Sequence, residues 1–296
     1  MSLFEYDFLR NAFLGALLVG LLAPSVGVYL VQRRLSLIGD GIGHVALTGV
    51  AVGFLLNSSP VLTAMVVAAL GAIVVEVLRE YGRMSGDIAL ALLFYGGIAG
   101  GVLLIGLDDD DNIPMMSYLF GSPLTTSSQD LIAITVLSAV VLLITVGGRS
   151  WLFAICQDEE YARVAGLPVR ALNLLLAVTA AVTVTVAMRT VGLLLVSALM
   201  VVPVATAQQV ARGFSSTMLL AMLLGVFASG SGMYASWRLD VAPGAAIVVF
   251  ALLVFVVVAA GSSVFRRLRP ARQLPHSFPA RGATAAPKVV GSLRDS

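Results

Sequence analysis

The chain has 296 residues, of which 59% are hydrophobic and 11% charged, with a formal net charge of +2 and a mean hydropathy of +0.99. A soluble domain carries roughly 25% charged residues, so a water-soluble enzyme is excluded. The arginines sit at the ends of apolar runs and form no stripe, which excludes a nucleic-acid binder. Cys156 is the single cysteine, so there is neither an intrachain disulfide nor a CxxC metal or redox motif.

Repeated apolar runs of about 20 residues predict an all-α, polytopic transmembrane bundle of 8–9 spans, because in lipid the backbone must satisfy its own hydrogen bonds. The first span is expected from Phe8 to Val31, interrupted by Pro24. Glu5 and Asp7 stand where a cleaved leader would be basic, so this run is kept as a span. Arg33 and Arg34 mark an inner end, a second span reaches Leu56, and a third reaches Leu78, where Arg79 and Arg83 again mark the inside. The fourth, Ile88 to Leu107, ends outside in the acidic run Asp108 to Asp111. Ile113 to Phe120 is too short to span and is expected to be interfacial or re-entrant. A fifth span, Asp130 to Val146, leads inward to Arg149 and then to a polar segment, Gln157 to Pro168, in which a short helix can end at Gly166. Spans over Val169–Met188, Val191–Val210, Thr217–Trp237 and Val241–Val264 complete a set of about nine, with the N-terminus outside. Residues 1–265 thus form the membrane domain, and 266–296, basic and rich in Pro, Ala, Ser and Gly, are expected to be a disordered cytoplasmic tail.

Asp40 and His44 lie four residues apart in the second span and therefore on one helical face. Ionisable groups inside a membrane by default line a cavity or an ion path. A carboxylate and an imidazole suit a borderline divalent metal such as zinc or manganese. The competing reading is structural, with Asp40 capping the helix and His44 bonding a neighbouring carbonyl. Glu76 could relay ions, although Arg79 at i,i+3 offers it a simple pairing. Arg189, between two outer span ends, fits either a gate or a side chain reaching toward headgroups. Pro203 should kink its span, leaving the Leu199 carbonyl without its helical donor. Glycine pairs four apart, Gly49 with Gly53, Gly96 with Gly100 and Gly97 with Gly101, are expected to serve close helix packing. There is no GxxxxGK[ST] loop, and the only lysine is Lys288, so ATP-driven work would need another subunit.

Four segments together resemble the permeases of the ABC-3 family, the membrane subunits of zinc and manganese importers. They are Arg33 to Gly53; Ser117 to Gly121 (Ser-Tyr-Leu-Phe-Gly); Ala162 to Gly166 with Ala187 to Ala207; and Asp240 to Gly244 (Asp-Val-Ala-Pro-Gly). The resemblance spans about Gly15 to Phe265. It implies a homodimeric or paired permease in the bacterial plasma membrane, fed by an extracellular metal-binding protein and driven by a cytoplasmic ABC ATPase. It implies no cofactor beyond the transported metal and no catalysis by this chain. It places the coupling helix over Gln157 to Pro168, with Asp158, Glu159, Glu160, Ala162 and Gly166 as ATPase-coupling residues. It makes Asp40 and His44 metal ligands and leaves Glu76, Arg189 and Pro203 as pathway or gating candidates. One departure stands out: zinc-type members often carry a histidine near the positions of Phe94 and Tyr95, and this chain has none, which favours manganese with its oxygen-rich coordination. The alternative is a secondary transporter coupled to protons or ions through Asp40 or Glu76.

Overall fold

A computed structural model describes residues 7–81, 86–107, 115–121 and 128–268. Among them are twelve α-helices and no strands. In chain order they are α1 (Asp7–Gln32), α2 (Ile38–Leu55), α3 (Pro60–Tyr81), α4 (Gly86–Ile105), α5 (Met115–Phe120), α6 (Ser128–Leu142), α7 (Arg149–Gln157), α8 (Glu159–Val164), α9 (Val169–Met188), α10 (Leu193–Gln208), α11 (Phe214–Leu239) and α12 (Pro243–Leu268). A π-helical turn, Leu143–Gly147, extends α6. The acidic run Asp108 to Asp111 and the tail beyond Leu268 lie outside the described residues, as does His276.

Eight of these helices are long and apolar enough to cross a membrane, so the chain is a multi-pass integral membrane protein. The seventh of the nine expected spans, Val191 to Val210, is shorter than expected. It forms only the 16 residues of α10, because Gly192 at φ +88° turns the chain before it. The helix continues through Pro203, which is buried inside it. α1 likewise runs unbroken through Pro24.

Burial follows position in the bundle. α1, α2 and α9 are mostly enclosed, whereas α3, α4, α6 and α12 leave most of their residues outward-facing. On α3 the outward positions Leu62, Val66, Leu70 and Val74 repeat every four residues and form one apolar stripe suited to lipid. The inner helices approach closely through glycine: a Cβ on Gly27 of α1 would lie 1.9 Å from the Met200 carbonyl oxygen of α10. The π turn is tied back to α1 through its one buried residue, Thr145: the Tyr29 hydroxyl donates to the Thr145 carbonyl at 2.5 Å and Thr145 Oγ1 donates to Ser25 Oγ at 3.2 Å. Such bonds keep polar groups satisfied where no water competes.

The two ends differ in chemistry. At one end Arg33, Arg79, Glu159 and Asn173 meet, and Arg170 pairs with Glu80. This is the end expected to be cytoplasmic. At the other, Arg189 at the end of α9 pairs with Asp130 on α6, so its charge is met within the protein rather than at a headgroup.

Candidate metal pathway and coupling face

Helix α2 is wedged between α4 and α10, and small residues set both contacts. Its Gly39 and Gly43 face α10, where a Cβ would meet Ser197 and Met200, and Leu193, respectively. On the other side Gly97 of α4 rests on the backbone of His44 and Val45, and the Thr48 hydroxyl donates to the Gly97 carbonyl at 2.8 Å. Gly100 and Gly101 continue this contact against Thr48 and Leu47. Gly96 departs from the expected packing role, since it lies on the outward side of α4 with open space around it.

Asp40 and His44 are half-buried along this seam. Asp40 borders an open cavity of about 350 Å³ lined also by Leu37, Leu90, Ala91, Phe94 and Tyr95. Its carboxylate receives one hydrogen bond, a long one of 3.4 Å from Ser197 Oγ on α10, and no cation among the described residues pairs with it. Asp40 does not cap its helix; the N-cap position is Leu37. The His44 ring stands edge-on to Phe94, with centroids 4.5 Å apart and planes at 78°. Its nitrogens make no hydrogen bond to a described residue, so the expected carbonyl bond is not made. A carboxylate and an imidazole with spare lone pairs, on one face beside a cavity, retain their capacity to bind a cation. No group of three or more His, Cys, Asp or Glu assembles around them among the described residues.

Sequence reasoning missed Ser197 and the contact of Phe94 with His44. Ser197 is a lone hydroxyl within Leu193 to Val202, otherwise all apolar, and that isolation was the available signal.

At the candidate coupling face, α8 is a single built unit. Asp158 caps it, its side chain accepting from the Glu160 and Tyr161 amides at 2.9 and 3.0 Å. Gly166, at φ +81°, closes it, with its own amide bonded to the Arg163 carbonyl and the Leu167 amide to the Ala162 carbonyl. Ala162 is fully buried, while Glu160, Tyr161 and Val164 are exposed. Glu159 turns inward to Arg33, to Asn173 Nδ2 at 2.6 Å and to Arg79 at 3.5 Å. Glu76, 5% exposed, accepts from Arg79 at 2.7 Å, the pairing its spacing offered. Burial, then the neighbouring Arg79, lowers the Arg33 guanidinium from its usual value, and Glu159 opposes both.

A multi-pass bundle that carries an unpaired carboxylate and imidazole within its spans, and a capped helix at one end, has the architecture of a membrane transport protein. The chain belongs to the ABC 3 transport family, whose sequence profile matches residues 5–262. It is 31% identical to the manganese import system permease protein ScaB of Streptococcus parasanguinis, over 86% of this chain and 90% of that one. It is 30% identical to the chelated iron transport system membrane protein YfeD of Yersinia pestis, over 90% and 88%. Among solved structures it is similar to PsaBC from Streptococcus pneumoniae in complex with Fab, with a TM-score of 0.77 and 30% identity, covering 86% of this chain and 91% of that one.

Proposed function

We propose that this chain is the permease subunit of an ATP-driven importer of a divalent transition metal, and that Asp40 and His44 line the ion's path. The observation that carries this reading is the pair itself: two metal-ligating side chains without a protein counter-charge, beside a cavity, in a member of a transport family. Manganese is the favoured cargo over zinc, because the oxygens of Asp40 and Ser197 outnumber the single imidazole and no second histidine stands near among the described residues. The names of ScaB and YfeD support manganese or iron for those relatives. The chain would act as a homodimer, in which a second copy doubles the ligand set to two carboxylates and two imidazoles.

The mechanism is alternating access. A metal-loaded extracellular binding protein delivers the ion to the outer loops, and the ion passes along the seam of α2, α4 and α10. A cytoplasmic ATPase engages the segment Gln157 to Pro168, through which ATP binding and hydrolysis rock the helices. The test is uptake into proteoliposomes containing this chain with its cognate ATPase and binding protein, comparing manganese, zinc and iron. ATP-dependent uptake that is lost in a folded, assembled His44→Ala supports the reading. Undiminished uptake by that variant removes His44 from the path. Uptake driven by a proton gradient without ATP makes the chain a secondary transporter instead.

A further inference from the structure

We infer that Arg33 and Glu159 form an inward-facing clasp that ties α8 to the turn between α1 and α2, with Arg33 as the positioning residue that carries the movement of α8 to Asp40. This rests on the function proposed above and assigns it a transmission route.

The two faces of α8 are divided by helical geometry. Taking Glu159 as reference, Ala162 lies one turn on along the same side, whereas Tyr161 and Val164 lie about 160° and 140° around the helix from it. Burial follows that division: Ala162 is fully buried, and Tyr161 and Val164 are 72% and 88% exposed. The outer face is thus left for a partner, and Glu159 is committed to the membrane helices.

What Glu159 holds is anchored in turn. The Arg33 side chain is only 7% exposed, and its second nitrogen donates to Asn173 Oδ1 at 3.0 Å, the same amide that donates to Glu159. An arginine fork, a carboxylate and an amide closing on one another are geometrically specific. A freely swinging surface pair would not be.

From Arg33 the path to the candidate site is short and stiff. The Arg33 amide bonds the Tyr29 carbonyl at 3.0 Å, and the Leu35 amide bonds the Leu30 carbonyl at 2.8 Å across Arg34, which adopts φ +59°. The Ile38 amide then bonds the Leu35 carbonyl at 3.0 Å, and Asp40 sits in the first turn of α2. Backbone hydrogen bonds from the amides of Arg33, Arg34, Leu35, Ile38 and Asp40 brace the turn between α1 and α2, so a displacement of α8 is passed on to Asp40. Arg79, which bonds both Glu159 and Glu76, gives α3 a share in the same movement.

The test uses the assembled transporter, with Glu159→Gln, Arg33→Gln and the double variant. Two quantities are read: ions taken up per ATP hydrolysed, and the ATPase retained on purification. Each single variant should lower the ion-to-ATP ratio about tenfold while the ATPase stays bound. The double variant should be no worse than either single one, because both remove the same link. Tyr161→Ala should instead release the ATPase. Spin labels at positions 37 and 160 supply a readout independent of ion movement. Their separation should be the same in ATP-free and ATP-trapped states of the wild type, and should broaden in Glu159→Gln.

The clasp is refuted by an unchanged ratio, by additive losses in the double variant, by loss of the ATPase from Glu159→Gln, or by label distances that ignore the substitution. Should Arg33→Gln fail to fold, Glu159→Gln alone still decides, since its half-exposed carboxylate can be neutralised without opening the core. A wild type that moves no metal would sink the proposed function, and the label distances would still judge the clasp.

Discussion

Adjacent glycines on α4 should respond in opposite ways to the same added methyl group. A Cβ on Gly97 would lie 2.7 Å from both the His44 carbonyl carbon and the Val45 nitrogen, and 3.1 Å from His44 Cβ. Two of these are backbone atoms that cannot rotate away. Carbon contacts settle at about 3.5–4.0 Å, so α4 must retreat from α2 by about 1 Å. Overpacking of this kind costs about 1–3 kcal/mol. The retreat also carries Phe94, one turn earlier on α4, away from the His44 ring it now meets at 4.5 Å, and it strains the 2.8 Å bond from Thr48 to the Gly97 carbonyl. Misplacing a functional group by about 1 Å can cost up to about 100-fold in rate, so Gly97→Ala should lose tenfold or more of its transport. Gly96, with nothing within 4 Å, should accept alanine without loss of either stability or transport. The assay is thermal unfolding of the purified assembly together with metal uptake, run on both variants. If Gly97→Ala matches Gly96→Ala in both, the α2–α4 seam is not the constraint argued here.

Ser197→Ala removes the one hydroxyl on Asp40, a long bond of 3.4 Å. Losing about 0.5–1 kcal/mol, it should weaken metal binding about two- to fivefold in a direct titration, and unchanged affinity would separate Ser197 from the site. Tyr29→Phe takes away the donor to the Thr145 carbonyl in the π turn and should cost about 1–3 kcal/mol of stability; an unaltered melting temperature would show that the bond is dispensable. Cys156, on α7, has its thiol pushed up to about 11, chiefly by burial. At pH 7.5 it should therefore react with maleimide about 100-fold more slowly than an ordinary thiol, accelerating as pH rises. Fast labelling of the folded protein at neutral pH would contradict the burial of this thiol.

Much of the bundle was legible before any coordinates. Length and apolarity of each run define a span because lipid leaves the backbone no other way to pair, so Val169–Met188 coincides with α9 residue for residue. Local signals worked as well: Gly166 closes α8, and Glu76 pairs with Arg79, both within four residues of their partners. What failed were the quantities set by neighbours. A glycine carries no mark of which way its helix face points, so Gly96 and Gly97 read alike, yet one faces open space and the other the backbone of His44. The sequence by itself determined the class, eight of the nine expected spans and the spacing of Asp40 and His44, since these depend on hydrophobicity and helical period. Only the tertiary structure decided that Arg189 meets Asp130, that Ser197 reaches Asp40, and that Glu159 turns toward Arg33. Those contacts join residues 59, 157 and 126 positions apart, and their partners are chosen by helix packing, which no local pattern records.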